Sequence, residues 1–396
     1  MKENQSPLHG VTVLDFTHIV MGPCCTQLLG DFGADVLKIE KPDKGDMTRT
    51  TIPDPAGFDN PIFLSLNRNK RSVAVDVRAD AGRDAVLGLA RTADVVVSNF
   101  RPGVMERLGF GWEALRELNP RLIWAAGSGF GPRGPYRHKG SQDAVTQAFT
   151  GVMHRRSSPE LPLSVYPTAL CDFSAGMHLV QGILLALLAR ARTGRGQRVD
   201  VSLYDSMLAM QMQEAAVRLN RGYEVNWGTM PLTGVFETQD GALCFVGGFH
   251  PDPIPALADA LELGEALTGR PEFATWESQF AHRPELGRIF AERLRTGTTA
   301  HWLRRLEAAN VLCAPVRDLA EALRDPQTVL NGMLLELTHP TAGTVQVLGA
   351  PVHLSETPAR IRHVPPRLGE HSDAVLREAG YDERRITDLR ASGVLR

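Results

Sequence analysis

In the segment ALCDFSAGMH, Asp172 stands just ahead of a long apolar run. A carboxylate at that place has two physical uses. It can be the N-cap of the helix that the run predicts, because its oxygens accept the unpaired N–H groups of the first turn. It can also be a nucleophile. Helix N-terminal N–H groups favour the ionised form, the neighbours Leu170, Cys171 and Phe173 limit its hydration, and a poorly hydrated carboxylate attacks activated acyl groups. Ser174 and Gly176 leave room for a substrate to approach. Competing nucleophiles are weaker: no GxSxG elbow occurs, and LYDSML lacks the glycines of one. Cys24 and Cys25 read as small buried residues. The five cysteines form no CxxC pair, and His18, His138, His178 and His371 show no metal-ligand spacing, so neither a disulfide framework nor a metal site is expected.

A second stretch, GSGFGPRGPY from Gly127 to Tyr136, meets the GxGxxG spacing of a dinucleotide-binding loop and follows an apolar strand pattern, RLIWAA. Its context excludes that reading. The loop follows a late strand, Pro132 lacks the N–H that a phosphate nest uses, and Pro135 disfavours a helical Gly134. The next acid, Asp143, lies far nearer than the ~20 residues of the dinucleotide pattern.

The elements that position Asp172 begin with an alternation of β-branched runs and helical patterns: VTVLDF, VLKIEK, SVAVDV, DVVVSNF and RLIWAA, separated by amphipathic segments. This predicts a doubly wound α/β domain with a parallel sheet. Phe173 to Arg192 is apolar nearly all round and reads as a buried helix, RVDVSLYD as a further strand, and Ser206 to Asn220 as a helix whose methionines fill core. The texture then changes. A hairpin around Gln239-Asp240-Gly241 and a helical stretch from Pro255 to Leu306 predict a smaller α+β domain. The division is 1–220, 221–328 and a return to the first domain over 329–396. In an open parallel sheet ligands bind beyond the carboxyl ends of the strands. Those ends carry Asp15 to His18, Lys41, Asp76 to Arg78 and Asn99 to Arg101, a rim with three cations suited to phosphate.

Forty-three basic residues against 45 acidic ones give no global field for nucleic acid or an anionic membrane. The polar N-terminus has no apolar core of a signal peptide, and no unbroken apolar run of about 18 residues occurs. A cytoplasmic protein with no membrane partner is the expectation.

Eight phrases in order resemble the class III CoA-transferases, which include formyl-CoA:oxalate, carnitine and succinate–hydroxymethylglutarate CoA-transferases. They are VTVLDFTHIVMGP, DFGADVLKIEKPDKGDMTR, LNRNKRSVAVDV, DVVVSNFRPGVMERLGF, GSGFGPRGPY, ALCDFSAGMH, RTGRGQRVDVSLYD and LGEHSDAVL. The resemblance implies that Asp172 is the nucleophile, passing through aspartyl anhydride and aspartyl-CoA thioester intermediates. It implies coenzyme A contacts at Val20, Met21, Lys41, Val75, Asp76, Val77, Arg78, Asn99, Phe100, Arg101, Arg107 and Lys139. CoA and acyl-CoA are then substrates, with no tightly bound cofactor, and the fold is an interlocked homodimer with a Rossmann-like large domain. Formyl-CoA:oxalate transferases carry glutamine where Val20 stands and aromatics near Thr51, Ile62 and Gln142, so formyl transfer to oxalate is disfavoured. α-Methylacyl-CoA racemases place a catalytic histidine where Gln142 stands, and glutamine is no acid–base group. NWGTMPLTGVFETQDG is similar to dicarboxylate transferases. The reading is CoA transfer from succinyl-CoA to a short dicarboxylate such as itaconate or hydroxymethylglutarate, with racemisation or idle CoA binding as alternatives. Arg155 and Arg156 are candidates for gripping a distal carboxylate.

Overall fold

Residues alternate by face along each of six strands, and that alternation builds two cores. The computed structural model describes residues 6–51, 60–158 and 160–396. Strands β1 (Thr12–Asp15), β2 (Asp35–Glu40), β3 (Lys70–Ala74), β4 (Val95–Ser98), β5 (Ile123–Ser128) and β6 (Arg198–Ser202) form one sheet. It is parallel throughout, in the order β3-β2-β1-β4-β5-β6. Val13, Val36, Val95, Val97, Ile123 and Ala125 face one core, with helices Met21–Asp31 and Leu170–Thr193. Leu14, Leu37, Val73, Val96 and Trp124 face the other, with helices Asp80–Ala90, Trp112–Leu118, Ser372–Glu378 and Glu383–Ala391. A sheet buried on both faces explains why its strands read as nearly continuous apolar runs.

Chain connections run outward in opposite directions from β1 and β4. The crevice between their carboxyl ends is therefore the topological switch point, where such sheets bind ligands. Asp15 and Ser98 are the last residues of these two strands.

The chain divides into two compact units: residues through Met153 with Val165–Met212 and Val329–Arg396, and His154–Ser164 with Gln213–Thr328. The first holds the six-stranded sheet and an antiparallel hairpin of β10 (Leu334–His339) and β11 (Gly343–Leu348). The second holds an antiparallel sheet of β7 (Thr233–Glu237), β8 (Ala242–Val246) and β9 (Leu312–Pro315) over a core that includes Phe245, Leu257, Phe290 and Trp302.

Three expectations change. The Leu170–Thr193 helix is not buried all round: Leu179, Val180, Ile183 and Ala186 face the sheet, while Phe173, Leu185 and Leu188 are 54%, 66% and 64% exposed. By length and composition this helix is apolar enough to cross a bilayer, yet one whole side of it is sheet core. The methionine-rich region is two helices, Leu203–Met210 and Met212–Arg221; Met207 is core, whereas Met210 and Met212 are exposed. Asp172 is not the N-cap, because the helix starts at Leu170 with Ala169 in that place.

Candidate active site

Capping of the long helix falls to a residue 29 positions upstream. Asp143 opens the helix Asp143–Phe149, and its Oδ2 accepts the N–H groups of Cys171 at 2.7 Å and Asp172 at 3.1 Å. Its Oδ1 accepts from Gln147 Nε2 at 2.6 Å. Gln147 is fully buried, and its Oε1 accepts the N–H of Tyr166 at 3.0 Å, which ties the short helix to the chain leading into the long one. The cap is thus a carboxylate brought in by tertiary structure, and the Asp172 side chain is released from capping.

That release sets the electrostatics of Asp172. None of the hydrogen bonds found among the described residues reaches its carboxylate. Burial, reinforced by the Asp143 charge, raises its pKa to about 6 from 3.8. Of the two influences expected from sequence, limited hydration dominates: the first-turn N–H groups that would have favoured the anion are already turned toward Asp143. Gly176 has a different use from the one expected. A Cβ there would lie 2.3 Å from Cys24 Sγ and 2.6 Å from the Met21 carbonyl, so the missing side chain lets the long helix approach the first helix rather than admitting substrate. Cys24 and Cys25 are buried, with both thiols pushed up by burial, Cys24 to about 12.

Asp172 lines a cleft of about 1080 Å³ at the switch point. One wall is His18, Ile19 and Met21, which follow β1; a second is Lys41 through Thr51, which follows β2. Asn99, Phe100 and Arg101 follow β4, and Ser141 to Val145 bring in Gln142 and Asp143. Lys41, Lys44 and Arg101 supply exposed cations around the half-buried Asp172 carboxylate. A neighbouring cleft of about 400 Å³ shares Phe100, Arg101 and Ser128 and adds Arg107, Arg137, His138 and the Arg198–Asp200 pair.

Of the residues implicated from sequence, Met21, Lys41, Asn99, Phe100, Arg101 and Asp172 come together in the larger cleft, and Arg107 lies in the adjoining one. Val20 is half-buried immediately before Met21. The amide of Asn99 is spent on backbone: its Oδ1 accepts the His18 N–H at 2.9 Å and its Nδ2 donates to the His18 carbonyl at 2.7 Å. Val75 is core, paired with Leu395, and Val77 packs against the same core. Asp76 and Arg78 form an ion pair at 2.9 Å; neither lines a cleft, but both lie within electrostatic reach of the larger one, Asp76 of Lys41 and Arg78 of Asp43. Lys139 is exposed, its ammonium 5.5 Å from the Phe149 ring centre. In the second unit, Arg155 donates to the Val225 carbonyl and Arg156 to that of Leu161.

Beneath the cleft lies an ionic layer that the sequence reading missed. Lys70 pairs with Asp15 at 3.1 Å and donates to Asn67 and to the Pro23 carbonyl. Lys38 pairs with Asp46 at 2.8 Å, and Glu40 pairs with Arg49 at 2.9 Å. Lys38 and Lys70 are fully buried. Neighbouring carboxylates hold the Lys38 ammonium charged despite burial, and Asp46 is held well below the usual carboxylate range chiefly by Lys38. His18, whose ring lies 5.4 Å from that of Phe100, is kept below its ordinary pKa by burial and by Lys38. The alternation of apolar residues in VLKIEK was the available signal, since Lys38 and Glu40 break it within an otherwise buried strand.

Comparisons with known proteins bear on the family and the fold. The description of CoA-transferase family III matches residues 8–372. The chain is 34% identical to the succinyl-CoA:glutarate CoA-transferase of Homo sapiens, over 99% of this chain and 90% of that protein. It is 34% identical to the formyl-CoA:oxalate CoA-transferase of Rhodopseudomonas palustris strain TIE-1, over 98% and 96%. Among solved structures, a CAIB/BAIF family protein from Brucella suis superposes with a TM-score of 0.84 at 31% identity, covering 94% of this chain and 99% of that one. A family match across nearly the whole chain, and relatives 34% identical over almost their full length, place it plainly: the chain belongs to CoA-transferase family III.

Proposed function

We propose that the protein moves CoA from succinyl-CoA to a short dicarboxylic acid, such as itaconate or hydroxymethylglutarate, with Asp172 as the nucleophile. The observation that carries this reading is the Asp172 carboxylate, unpaired by any hydrogen bond found, raised to about 6 and set in a cleft ringed by Lys41, Lys44 and Arg101. At neutral pH such a group is mostly ionised, yet more basic than a solvated aspartate. Both CoA-transferase relatives named above have a dicarboxylate as acceptor in their names, which supports that acceptor class.

The steps follow from the group. A carboxylate oxygen of Asp172 attacks the donor thioester carbonyl and expels the CoA thiolate, leaving an acyl-aspartyl anhydride. The thiolate attacks the aspartyl carbonyl, forming the aspartyl-CoA thioester and releasing the donor acid. An acceptor carboxylate attacks that thioester, expelling the thiolate and forming a second anhydride. The thiolate then takes the acceptor acyl group and frees Asp172. Each step exchanges one activated acyl bond for another. In this reading Lys41, Arg101 and Arg107 pair with CoA phosphates, which their positions in the two adjoining clefts support, with Val20, Met21, Val75 to Arg78, Asn99, Phe100 and Lys139 as further contacts.

The reading extends to an interlocked homodimer with large-domain segments 1–220 and 329–396 and a small domain 221–328. The exposed apolar face of Phe173, Leu185 and Leu188 supports a second copy covering it. Five unpaired cysteines support a reducing, cytoplasmic setting. A racemase reading draws on one observation, that His18 lines the same cleft as Asp172.

Incubation with succinyl-CoA and a panel of acids, followed by hydroxylamine, tests the proposal. A new acyl-CoA and a hydroxamate on the peptide containing Asp172, absent in Asp172→Ala, are expected. A hydroxamate that persists in the variant refutes the nucleophile. Solvent exchange of an α-proton of a 2-methylacyl-CoA, with no new thioester from any acid, selects the racemase.

A further inference from the structure

We infer that Asp46 is a positioning residue that shapes the cleft by holding Ile19 in a left-handed turn; this rests on the CoA-transfer reading and deepens it. Ile19 has φ of +70°, a conformation that β-branched residues avoid because Cβ crowds the following carbonyl. Such backbone persists only where its surroundings over-determine it, and it clusters at functional sites. Here the determinants are specific. The Ile19 N–H donates to Asp46 Oδ1 at 3.2 Å, and the same oxygen accepts the N–H and the hydroxyl of Thr48, each at 2.9 Å. Asp46 Oδ2 pairs with Lys38, and the Asp46 N–H donates to Glu40 Oε1 at 2.9 Å. On the other side of the turn, the Asn99 amide clamps the N–H and carbonyl of His18.

One carboxylate oxygen therefore joins two walls of the cleft. Ile19 belongs to the wall after β1; Thr48 sits between Met47 and Thr50 in the wall after β2. Loss of that acceptor removes what opposes the strain, and Ile19 returns to ordinary φ. The His18–Met21 wall then moves relative to Lys41 and Lys44. Stability alone is a poor reason for the arrangement, because a fully buried lysine–carboxylate pair is often no better than an apolar pair of similar size. Positional precision at the site is the better one.

The test separates the acceptor from the ion pair. Lys38→Met/Asp46→Asn removes both charges and keeps a carbonyl oxygen for the Ile19 N–H. Lys38→Met/Asp46→Leu removes the charges and the acceptor. A third variant adds Ile19→Gly to the leucine pair, since glycine adopts positive φ without strain. Steady-state kinetics with succinyl-CoA and the acceptor acid, CoA affinity by calorimetry and melting temperature are read on each. The asparagine pair is the reference for the leucine pair, because both lose the Lys38 hydrogen bond to the Thr17 carbonyl. The leucine pair is expected to lose roughly 10-fold or more in kcat/KM relative to the asparagine pair when both are assayed well below their melting temperatures, and Ile19→Gly to restore most of the loss. Equal kinetics in the asparagine and leucine pairs, or no recovery with glycine, overturns the inference. Should the leucine pair fail to fold, Ile19→Pro asks the same question with the ion pair intact, because proline fixes φ near −65°; wild-type kinetics in that variant also overturns it. If the wild-type protein transfers no CoA, the calorimetric comparison still decides the role of Asp46, so the two failures are told apart.

Discussion

Replacing Asp172, the proposed nucleophile, with its neutral isostere should make the protein more stable. The Asp172 carboxyl titrates near 6 in the fold against 3.8 for the free side chain, chiefly through burial and then through Asp143. A shift of about two units is worth ~3 kcal/mol, an upper value for a group open to the cleft on one side. The sign is that of a raised acid: protonation favours the fold, so the penalty is absent below the unfolded pKa, grows between 3.8 and 6, and is complete above 6. Asp172→Asn carries no charge at any pH and escapes it. At pH 7.5 the variant should gain about 2–3 kcal/mol, and at pH 4.5 only about 1 kcal/mol. With roughly 2–4 °C per kcal/mol for a large domain, the melting temperature should rise by several degrees at pH 7.5, and the gain should shrink by more than half at pH 4.5. Differential scanning calorimetry of both proteins at the two pH values is the assay. The gain should also be smaller in an Asp143→Asn background, where the repulsion is gone, so a double-mutant cycle isolates the Asp143 contribution. A lower melting temperature for Asp172→Asn at pH 7.5, or a gain independent of pH, refutes this account of the site.

Three further outcomes are expected. The kcat/KM of transfer should fall below a limb near pH 6 as Asp172 protonates, and Asp143→Asn should move that limb to lower pH, as initial rates across pH will show. Asp143→Ala leaves the N–H groups of Cys171 and Asp172 without their acceptor, so it should cost about 1–2 kcal/mol in urea unfolding and lower kcat as the first turn frays. Leu185→Glu with Leu188→Glu should weaken self-association in sedimentation velocity, because both side chains lie on the uncovered face of the long helix.

The sheet was legible in the sequence because its central strands carry short β-branched runs, and burial on both faces leaves no other reading for VTVLDF or DVVVSNF. Asp172 stood out as a candidate because ALCDFSAGMH sets an acid among apolar and small residues ahead of a long apolar run and resembles the family's segment. Its capping partner was not. Asp143 lies 29 residues upstream, and the chain between them passes through His154–Ser164 of the second unit before returning. No local pattern records which distant carboxylate takes a helix's first N–H groups. The exposed side of Leu170–Thr193 was misread for a related reason: apolar residues all round a helix announce burial, but not whether the same chain supplies the cover. Lys38, Asp46 and Lys70 escaped notice because a buried ion pair is written in the alphabet of surface residues.

The cap supplied by Asp143 bears on the energetics of the proposed cycle. Every acylated form of Asp172, anhydride or thioester, is neutral, whereas the resting carboxylate is charged, poorly hydrated and repelled by Asp143. The first acylation therefore relieves the ~3 kcal/mol that burial and Asp143 impose, which favours the acyl-enzyme by roughly 100-fold over the same chemistry on a solvated aspartate; the exchanges between anhydride and thioester are unaffected, and the penalty returns when Asp172 is freed. The relief offsets part of the cost of forming an anhydride, the least stable species in the sequence. Capping by Asp172 itself would have had the opposite effect: N–H donors stabilise the carboxylate, lower its basicity and must be given up on acylation. Moving the cap to Asp143 keeps the helix start intact, and it turns a helix terminus that would have quietened the nucleophile into a source of repulsion that primes it.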